Sequence, residues 1–193
     1  MLKQTKIGPR LSGLAIASWL AAALATPALA HITLEQNAAP VGAPYKAVFK
    51  VPHGCDGSAT VKIVVGIPEG AIAVKPMVKP GWTIAVKRGA YSKPYSFMHG
   101  AKFTEGPTEI TWSGGHLPDA YYDEFVVSLF LAGELPASST LYFPVDQFCE
   151  KGAHHWTAVP VNGKAPEGDP APGLRLLPKS QEHEHEHEQK HDK

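Results

Sequence analysis

The sequence predicts an all-β domain built as an antiparallel β-sandwich. After residue 31, most of the chain consists of short segments in which apolar and polar residues alternate, as in strands with one buried face. Turn clusters separate these segments, and the chain contains 18 glycines and 18 prolines. No window carries the apolar stripe, with a period of about 3.6 residues, that predicts an amphipathic helix. A closed barrel is the alternative architecture for this pattern.

About seven or eight strands are expected, as in sandwich domains. In "YKAVFKVP", one face carries Tyr45, Ala47, Phe49 and Val51, and lysines lie on the other. Pro144 predicts an edge strand or a bulge, because proline cannot donate a hydrogen bond to a neighbouring strand. The predicted strand segments are, in chain order, "HITLEQ", "YKAVFKVP", "ATVKIVVGIP", "WTIAVKR", "EITWS", "EFVVSLFLA", "TLYFPV" and "HWTAVPV".

Residues 1–30 have the features of a signal peptide. Lys3, Lys6 and Arg10 precede the apolar run "LSGLAIASWLAAALA", and "ALA" at 28–30 fits a cleavage site. An uncleaved membrane anchor is the alternative, but the run is shorter than the roughly 20 residues that span a bilayer. We therefore expect an exported, periplasmic protein that does not span the membrane and whose mature chain begins at His31.

The sandwich is expected to occupy residues 31–162, and residues 163–193 to form a linker and a disordered tail. "NGKAPEGDPAPG" has linker composition, and "LRLLP" is too short to predict an element of its own. The segment "KSQEHEHEHEQKHDK" is charged and of low complexity. It is either a weak metal-binding segment or a solubilising tail, and its histidines are His183, His185, His187 and His191.

The two cysteines, Cys55 and Cys149, predict a disulfide, because an exported domain folds in an oxidising compartment. A thiol site for copper or redox chemistry is the alternative, but their spacing is not C-x-x-C. On the chain-entropy model, closing such a long loop stabilises the fold by about 4 to 5 kcal/mol.

The charge and the motifs exclude some classes of function. The formal net charge is zero, which argues against a nucleic-acid-binding protein. Outside the low-complexity tail, where His183 to His187 match the letters of H-E-x-x-H, the sequence contains no G-x-S-x-G, no H-E-x-x-H, no phosphate-binding loop and no dinucleotide fingerprint. We therefore expect a protein that is not an enzyme.

His31 is the residue with the most specific chemistry. If cleavage leaves it at the N-terminus, its α-amine and its Nδ1 can bind one metal ion in a six-membered chelate. An α-amine has a pKa near ~8, so a metal ion can displace its proton at neutral pH. Nitrogen and oxygen donors suit Cu(II). The alternative is that a polar residue simply follows the cleavage site.

Several long blocks resemble the YcnI-like family of exported bacterial copper-binding proteins. The resemblance runs collinearly from His31 to about Val161 and does not include the tail. The blocks that carry it are "AHITLEQ", "APVGAPYKAVFKVPHGCDGSATVKIVVGIPEG", "VKPGW", "ITWSGGHLPDAYYDEF" and "LYFPVDQFCEKGAHHW".

The resemblance implies an immunoglobulin- or fibronectin-like sandwich and a Cu(II) site. The family binds Cu(II) through a single histidine at the processed N-terminus, together with an acidic ligand and a nearby tryptophan. These map onto His31, Glu124 and Trp156, and Asp123 and Glu35 are the alternatives for the acid.

Other histidines have open roles. His53 in "VPHGC" is either a second ligand, a group that supports a ligand, or a buried histidine in a turn. His154 and His155 flank Trp156 and are candidate accessory ligands, and His116 is most simply a surface residue in a turn.

The sequence therefore predicts a periplasmic Cu(II)-binding protein that acts as a chaperone or in copper homeostasis. Its expected partners are the copper ion and other periplasmic copper-handling proteins or a cuproprotein client. A metal-independent immunoglobulin-like module that binds an envelope partner is one alternative. An oxidative copper enzyme is another, although such enzymes use a second histidine at the same ion.

Overall fold

The computed structural model describes residues 31–180. The predicted signal peptide at 1–30 and the histidine-rich segment after residue 180 lie outside the described residues. Within them, no helix is long and apolar enough to cross a membrane.

The described residues form twelve strands and one short 3₁₀ helix, Met98–Gly100. The strands are β1 Thr33–Leu34, β2 Ala38–Pro40, β3 Ala43–Val51, β4 Thr60–Gly66, β5 Ala71–Pro76, β6 Thr83–Ser96, β7 Lys102–Leu117, β8 Asp123–Leu131, β9 Thr140–Tyr142, β10 Val145–Cys149, β11 Ala153–Trp156 and β12 Gly173–Leu177.

The strands assemble into three sheets, which confirms the all-β prediction and excludes one closed barrel. Their orders are β1-β3-β8-β5, β11-β10-β4-β7-β6 and β2-β12-β9. Among these strands, only β2 and β12 pair in parallel. The apolar faces meet in one core that includes Phe49 and Phe125 from the first sheet, Trp112 from the second and Leu174 from the third.

The predicted buried faces of the strands are confirmed where apolar and polar residues alternate strictly. In β3, the side chains of Tyr45, Ala47, Phe49 and Val51 are all buried. They face the core because alternate residues of a strand point to the same side.

The β6–β7 hairpin is longer than the sequence pattern predicts. The segments "WTIAVKR" and "EITWS" predict short strands, but the pairing runs from Thr83↔Ser113 to Ser96↔Lys102. Its outer part is mostly exposed and polar. Backbone hydrogen bonds extend this ribbon, and its residues Tyr91, Tyr95 and Phe103 belong to a second, smaller apolar cluster with Ile72 and Ala132. These aromatic residues do not alternate strictly, so no strand pattern of period two marks the ribbon in the sequence.

The predicted disulfide is confirmed. Cys55 and Cys149 are bonded, with their Cα atoms 5.9 Å apart. Cys149 ends β10, and Cys55 lies in the turn between β3 and β4. The bond therefore joins two segments at one end of the sandwich.

The predicted domain boundary at residue 162 is wrong in the structure, because the domain continues to β12. Leu174 and Leu176 are 0% and 1% exposed and belong to the core. β12 pairs with both β2 and β9, so "LRLL" completes a three-stranded sheet. A strand of five residues gains its stability from these neighbours, which sequence alone does not show.

A chain that ends at residue 162 is expected to be much less stable than one that ends at 180. Truncation removes Leu174 and Leu176, and each loss from a core costs about 2–5 kcal/mol in comparable substitutions. Urea unfolding of residues 31–162 and 31–180 measures the difference. Equal unfolding midpoints would show that β12 contributes nothing.

Candidate metal centre

His31 lies at the edge of the first sheet, two residues before β1 begins at Thr33. Ile32 is 1% exposed and anchors this segment in the core. Thr33 pairs with Lys50 of β3, which fixes the direction of the chain. The His31 side chain is half-buried and packs edge-on against Trp156, with ring centroids 5.5 Å apart. The structure thus brings together the predicted ligand and the predicted aromatic neighbour.

Trp156 ends β11, the edge strand of the five-stranded sheet. It pairs with Val145 of β10, and its side chain is 2% exposed. Its indole Nε1–H donates a hydrogen bond to the Gln147 Oε1, at 3.1 Å. The indole is therefore held in one orientation, with part of its surface against His31.

Two further histidines extend this group of rings. The His154 ring lies 5.1 Å from Trp156, and the His53 ring lies 6.1 Å from His154. The His154 Nδ1 is 3.2 Å from the Asp169 Oδ2, and the His53 Nδ1 is 2.6 Å from the Gly54 carbonyl. A carbonyl oxygen only accepts, so the His53 Nδ1 carries a proton. The His–Trp cluster, as named below, consists of His31, His53, His154 and Trp156.

The other two candidate histidines lie elsewhere. His155 faces away from Trp156, because neighbouring residues of a strand point to opposite sides. Its Nδ1 lies 2.6 Å from the Asp146 Oδ1. The His116 Nε2 lies 3.3 Å from the Glu150 carboxylate, and both side chains are more than half exposed. Of the two histidines that precede Trp156 in the sequence, only His154 belongs to the His–Trp cluster.

Glu124 lies on β8, two strands away from β1. Thr33 pairs with Lys50 and Lys50 pairs with Glu124, so β3 runs between them. Two strand spacings amount to about 9.6 Å between backbones. The Glu124 carboxylate accepts a hydrogen bond from the Tyr122 hydroxyl. Its role as a ligand beside His31 stays a prediction.

The two alternative acids have other surroundings. The Asp123 carboxylate is 2.7 Å from the Lys79 ammonium, which forms an ion pair with it. Glu35 is exposed, and its charge adds to the effect of burial that raises the pKa of Tyr45 to about 12. Neither of these interactions involves a member of the His–Trp cluster.

The acidic groups also act on Tyr122. Its hydrogen bond to Glu124, with smaller contributions from desolvation and from the charges of Glu124, Glu35 and Asp123, raises the pKa of Tyr122 to about 12. A raised tyrosine pKa means that the carboxylates disfavour the phenolate.

Replacing Glu124 by glutamine is expected to lower the pKa of Tyr122 towards the ordinary tyrosine value of about 10. An ultraviolet difference titration measures this, with Tyr122→Phe to assign the signal. Glu35→Gln is the matched control and is expected to shift the pKa less, because Glu35 contributes only through its charge. Equal shifts in both variants would contradict the assignment.

The cluster offers a metal ion few preassembled side-chain donors. Among residues 31–180, no group of three or more histidine, cysteine or carboxylate side chains is arranged to hold one ion. A processed N-terminal histidine differs because it supplies two nitrogens from a single residue. The half-buried position of His31 fits such a chelate, since its ring packs on Trp156 while part of the residue stays accessible.

Two residues beside the cluster were not singled out from the sequence. Gln147 is fully buried. The sequence does contain a sign of this role, because Gln147 is a polar residue at an inward-facing position between Val145 and Cys149 of an alternating strand. Asp169 carries no such signal, because it lies in the segment predicted as a linker and reaches His154 only through the tertiary fold.

Comparison with known proteins identifies a similar fold and the family of this chain. A crystal structure of an uncharacterized protein from Nocardia farcinica, described as an immunoglobulin-like fold, superposes with a TM-score of 0.55. The two are 25% identical over 76% of this chain and 98% of the other. No curated protein sequence matches significantly. A model of a domain of unknown function, DUF1775, matches residues 31–176. This sandwich with its edge cluster is accordingly a DUF1775 domain, and the chain belongs to that family.

Proposed function

We propose that this protein binds Cu(II) as cargo through the N-terminal nitrogens of processed His31. The observation that carries the proposal is the packing of the His31 ring against Trp156, 5.5 Å between centroids. These are two of the three residues that the resemblance to the YcnI-like copper-binding proteins assigns to the site, the third being Glu124. His31 and Trp156 lie far apart in the sequence, and the fold brings their rings into contact.

The chemistry of an N-terminal histidine favours Cu(II). The α-amine and Nδ1 form a six-membered chelate, and two nitrogens with oxygen ligands suit tetragonal coordination. Because both nitrogens belong to one residue, the site does not depend on a trio of clustered side chains. Cleavage after Ala30 would create the amine ligand, so the precursor would lack the site until export.

The rest of the cluster supports this site in different ways. Trp156 would cover one side of the ion and exclude water from it. Glu124 is the carboxylate ligand that the resemblance assigns. Asp169 is the carboxylate that the fold brings to the cluster, where it orients His154 through the 3.2 Å contact.

A protein with such a site would trap copper or pass it on in the periplasm. Its partners would be other copper-handling proteins or a cuproprotein client. An oxidative enzyme would need a second histidine at the same ion. Of the two candidates, the His53 ring packs beside His154, and the His155 Nδ1 lies beside the Asp146 carboxylate.

Titration of the processed chain, residues 31–193, with Cu(II) tests the proposal. His183, His185, His187 and His191 are replaced by serine so that the tail does not contribute. We expect one ion per chain and an electron paramagnetic resonance spectrum with nitrogen ligands. A chain that retains Ala30 is the matched control. It should lose the spectrum of the His31 chelate, because its α-amine belongs to Ala30 and not to His31. An unchanged affinity in that control would exclude the N-terminal chelate.

A further inference from the structure

We propose that Gln147 is the positioning residue of this site, because it fixes Trp156 and the His53 backbone relative to each other. The link to copper rests on the function proposed above. The positioning itself is a property of the metal-free protein.

The burial of Gln147 is unusual for its residue type. Among the described residues, Gln147 and Thr60 are the buried polar side chains, and both are 0% exposed. An amide buried without hydrogen bonds costs about 1–3 kcal/mol on mutational evidence, so a residue of this kind is expected to have its polar atoms paired.

Three hydrogen bonds satisfy the Gln147 amide. Its Nε2 donates to the His53 carbonyl at 2.7 Å and to the Thr60 Oγ1 at 2.8 Å. Its Oε1 accepts from the Trp156 Nε1–H at 3.1 Å. An indole N–H only donates and a carbonyl only accepts, so the partners allow one orientation of the amide.

These bonds connect the two large sheets at the end where His31 lies. Thr60 and Trp156 belong to the five-stranded sheet, whereas His53 follows β3 of the four-stranded sheet. Gln147 itself lies on β10, between β4 and β11. The Gln147 side chain therefore sets the position of the Trp156 indole beside His31. It also sets the position of the loop that carries His53.

A merely structural role would give a different result from a positioning role. If Gln147 only stabilises the fold, any variant with a similar loss of stability should bind Cu(II) equally well. If it positions Trp156, its loss should change the environment of the indole before any metal is added.

The test compares Gln147→Leu with Thr60→Val, both in the processed chain with the tail histidines replaced. Thr60→Val removes one partner of the amide and leaves the bonds to Trp156 and His53 in place. In metal-free protein, we expect Gln147→Leu to shift the Trp156 indole N–H resonance, assigned with Trp156→Phe, and Thr60→Val to leave it nearly unchanged.

With Cu(II), Gln147→Leu should raise Kd by about 10–100-fold, the usual effect of losing a group that supports a metal site. Thr60→Val should change Kd by less than about 3-fold. The proposal is overturned if the indole resonance does not move in Gln147→Leu, or if both variants lose the same affinity.

Trp156→Phe keeps the test decisive if Gln147→Leu does not fold. It removes the indole donor and leaves Gln147 in place, so it should raise Kd as Gln147→Leu would. An unchanged Kd would refute the proposal. If the parent protein binds no Cu(II), the proposed function fails. The positioning role is then still decided by the Trp156 indole resonance of Gln147→Leu in metal-free protein. If Gln147→Leu does not fold, Gln147→Glu takes its place in this measurement.

Discussion

Replacing His31 by alanine in the processed protein is expected to raise the Kd for Cu(II) by at least about 100-fold, the upper end of the effect seen when a supporting group is lost. The variant keeps an α-amine but loses the Nδ1, so the chelate cannot form. It also removes the ring that packs on Trp156. A 100-fold change corresponds to about 2.7 kcal/mol of binding free energy. Competition titration against a chelator of known affinity measures it.

His116→Ala is the matched control for the His31 variant. It removes an exposed histidine whose contact is with Glu150, outside the His–Trp cluster. Its Kd should stay within about 2-fold of the parent, because surface substitutions away from a site have small effects. If His116→Ala weakens binding as much as His31→Ala, the copper is bound at no defined centre.

Removing the Cys55–Cys149 disulfide is expected to lower the free energy of unfolding by about 4 to 5 kcal/mol on the chain-entropy model. The bond spans 94 residues, so its loss restores much conformational freedom to the unfolded chain. The Cys55→Ala/Cys149→Ala variant avoids free thiols at these buried positions. Urea unfolding, with and without reductant, measures the loss.

Reductant provides the internal control for this prediction. The parent protein should lose stability when the bond is reduced, whereas the double alanine variant should be insensitive. An unfolding midpoint that is equal in the parent and the variant would show that the loop closure contributes little and that packing alone holds the two segments.

The sequence predicted strands well where one face is buried. The core residues of β3 alternate as expected, because burial of one face imposes a period of two on the sequence. The outer β6–β7 ribbon and β12 were not predicted. The ribbon is stabilised by backbone pairing and by aromatic residues that pack with Ile72 and Ala132. β12 is stabilised by two neighbouring strands, and neither element leaves a local pattern of sufficient length.

The candidate site was predicted in part. His31 and Trp156 were named from the resemblance, and the fold brings them into contact. Gln147 was not, because its amide also bonds to His53 and Thr60, which are 94 and 87 residues away. Asp169 was not, because it lies in a segment with no strand pattern and reaches His154 only in the fold. Glu124 is separated from β1 by a strand, and sequence spacing cannot show such a separation.

The sequence by itself determined which residues alternate into a core, that two cysteines were available to bond, and that a cut before His31 would expose two nitrogens on one residue. These are local or covalent properties. The tertiary structure alone decided that Trp156 packs on His31, that His154 and then His53 follow beyond it, and that one buried amide bonds both to Trp156 and to the His53 carbonyl. That arrangement follows from how two sheets pack at one end of the sandwich, and packing between distant strands has no periodicity that a single sequence displays.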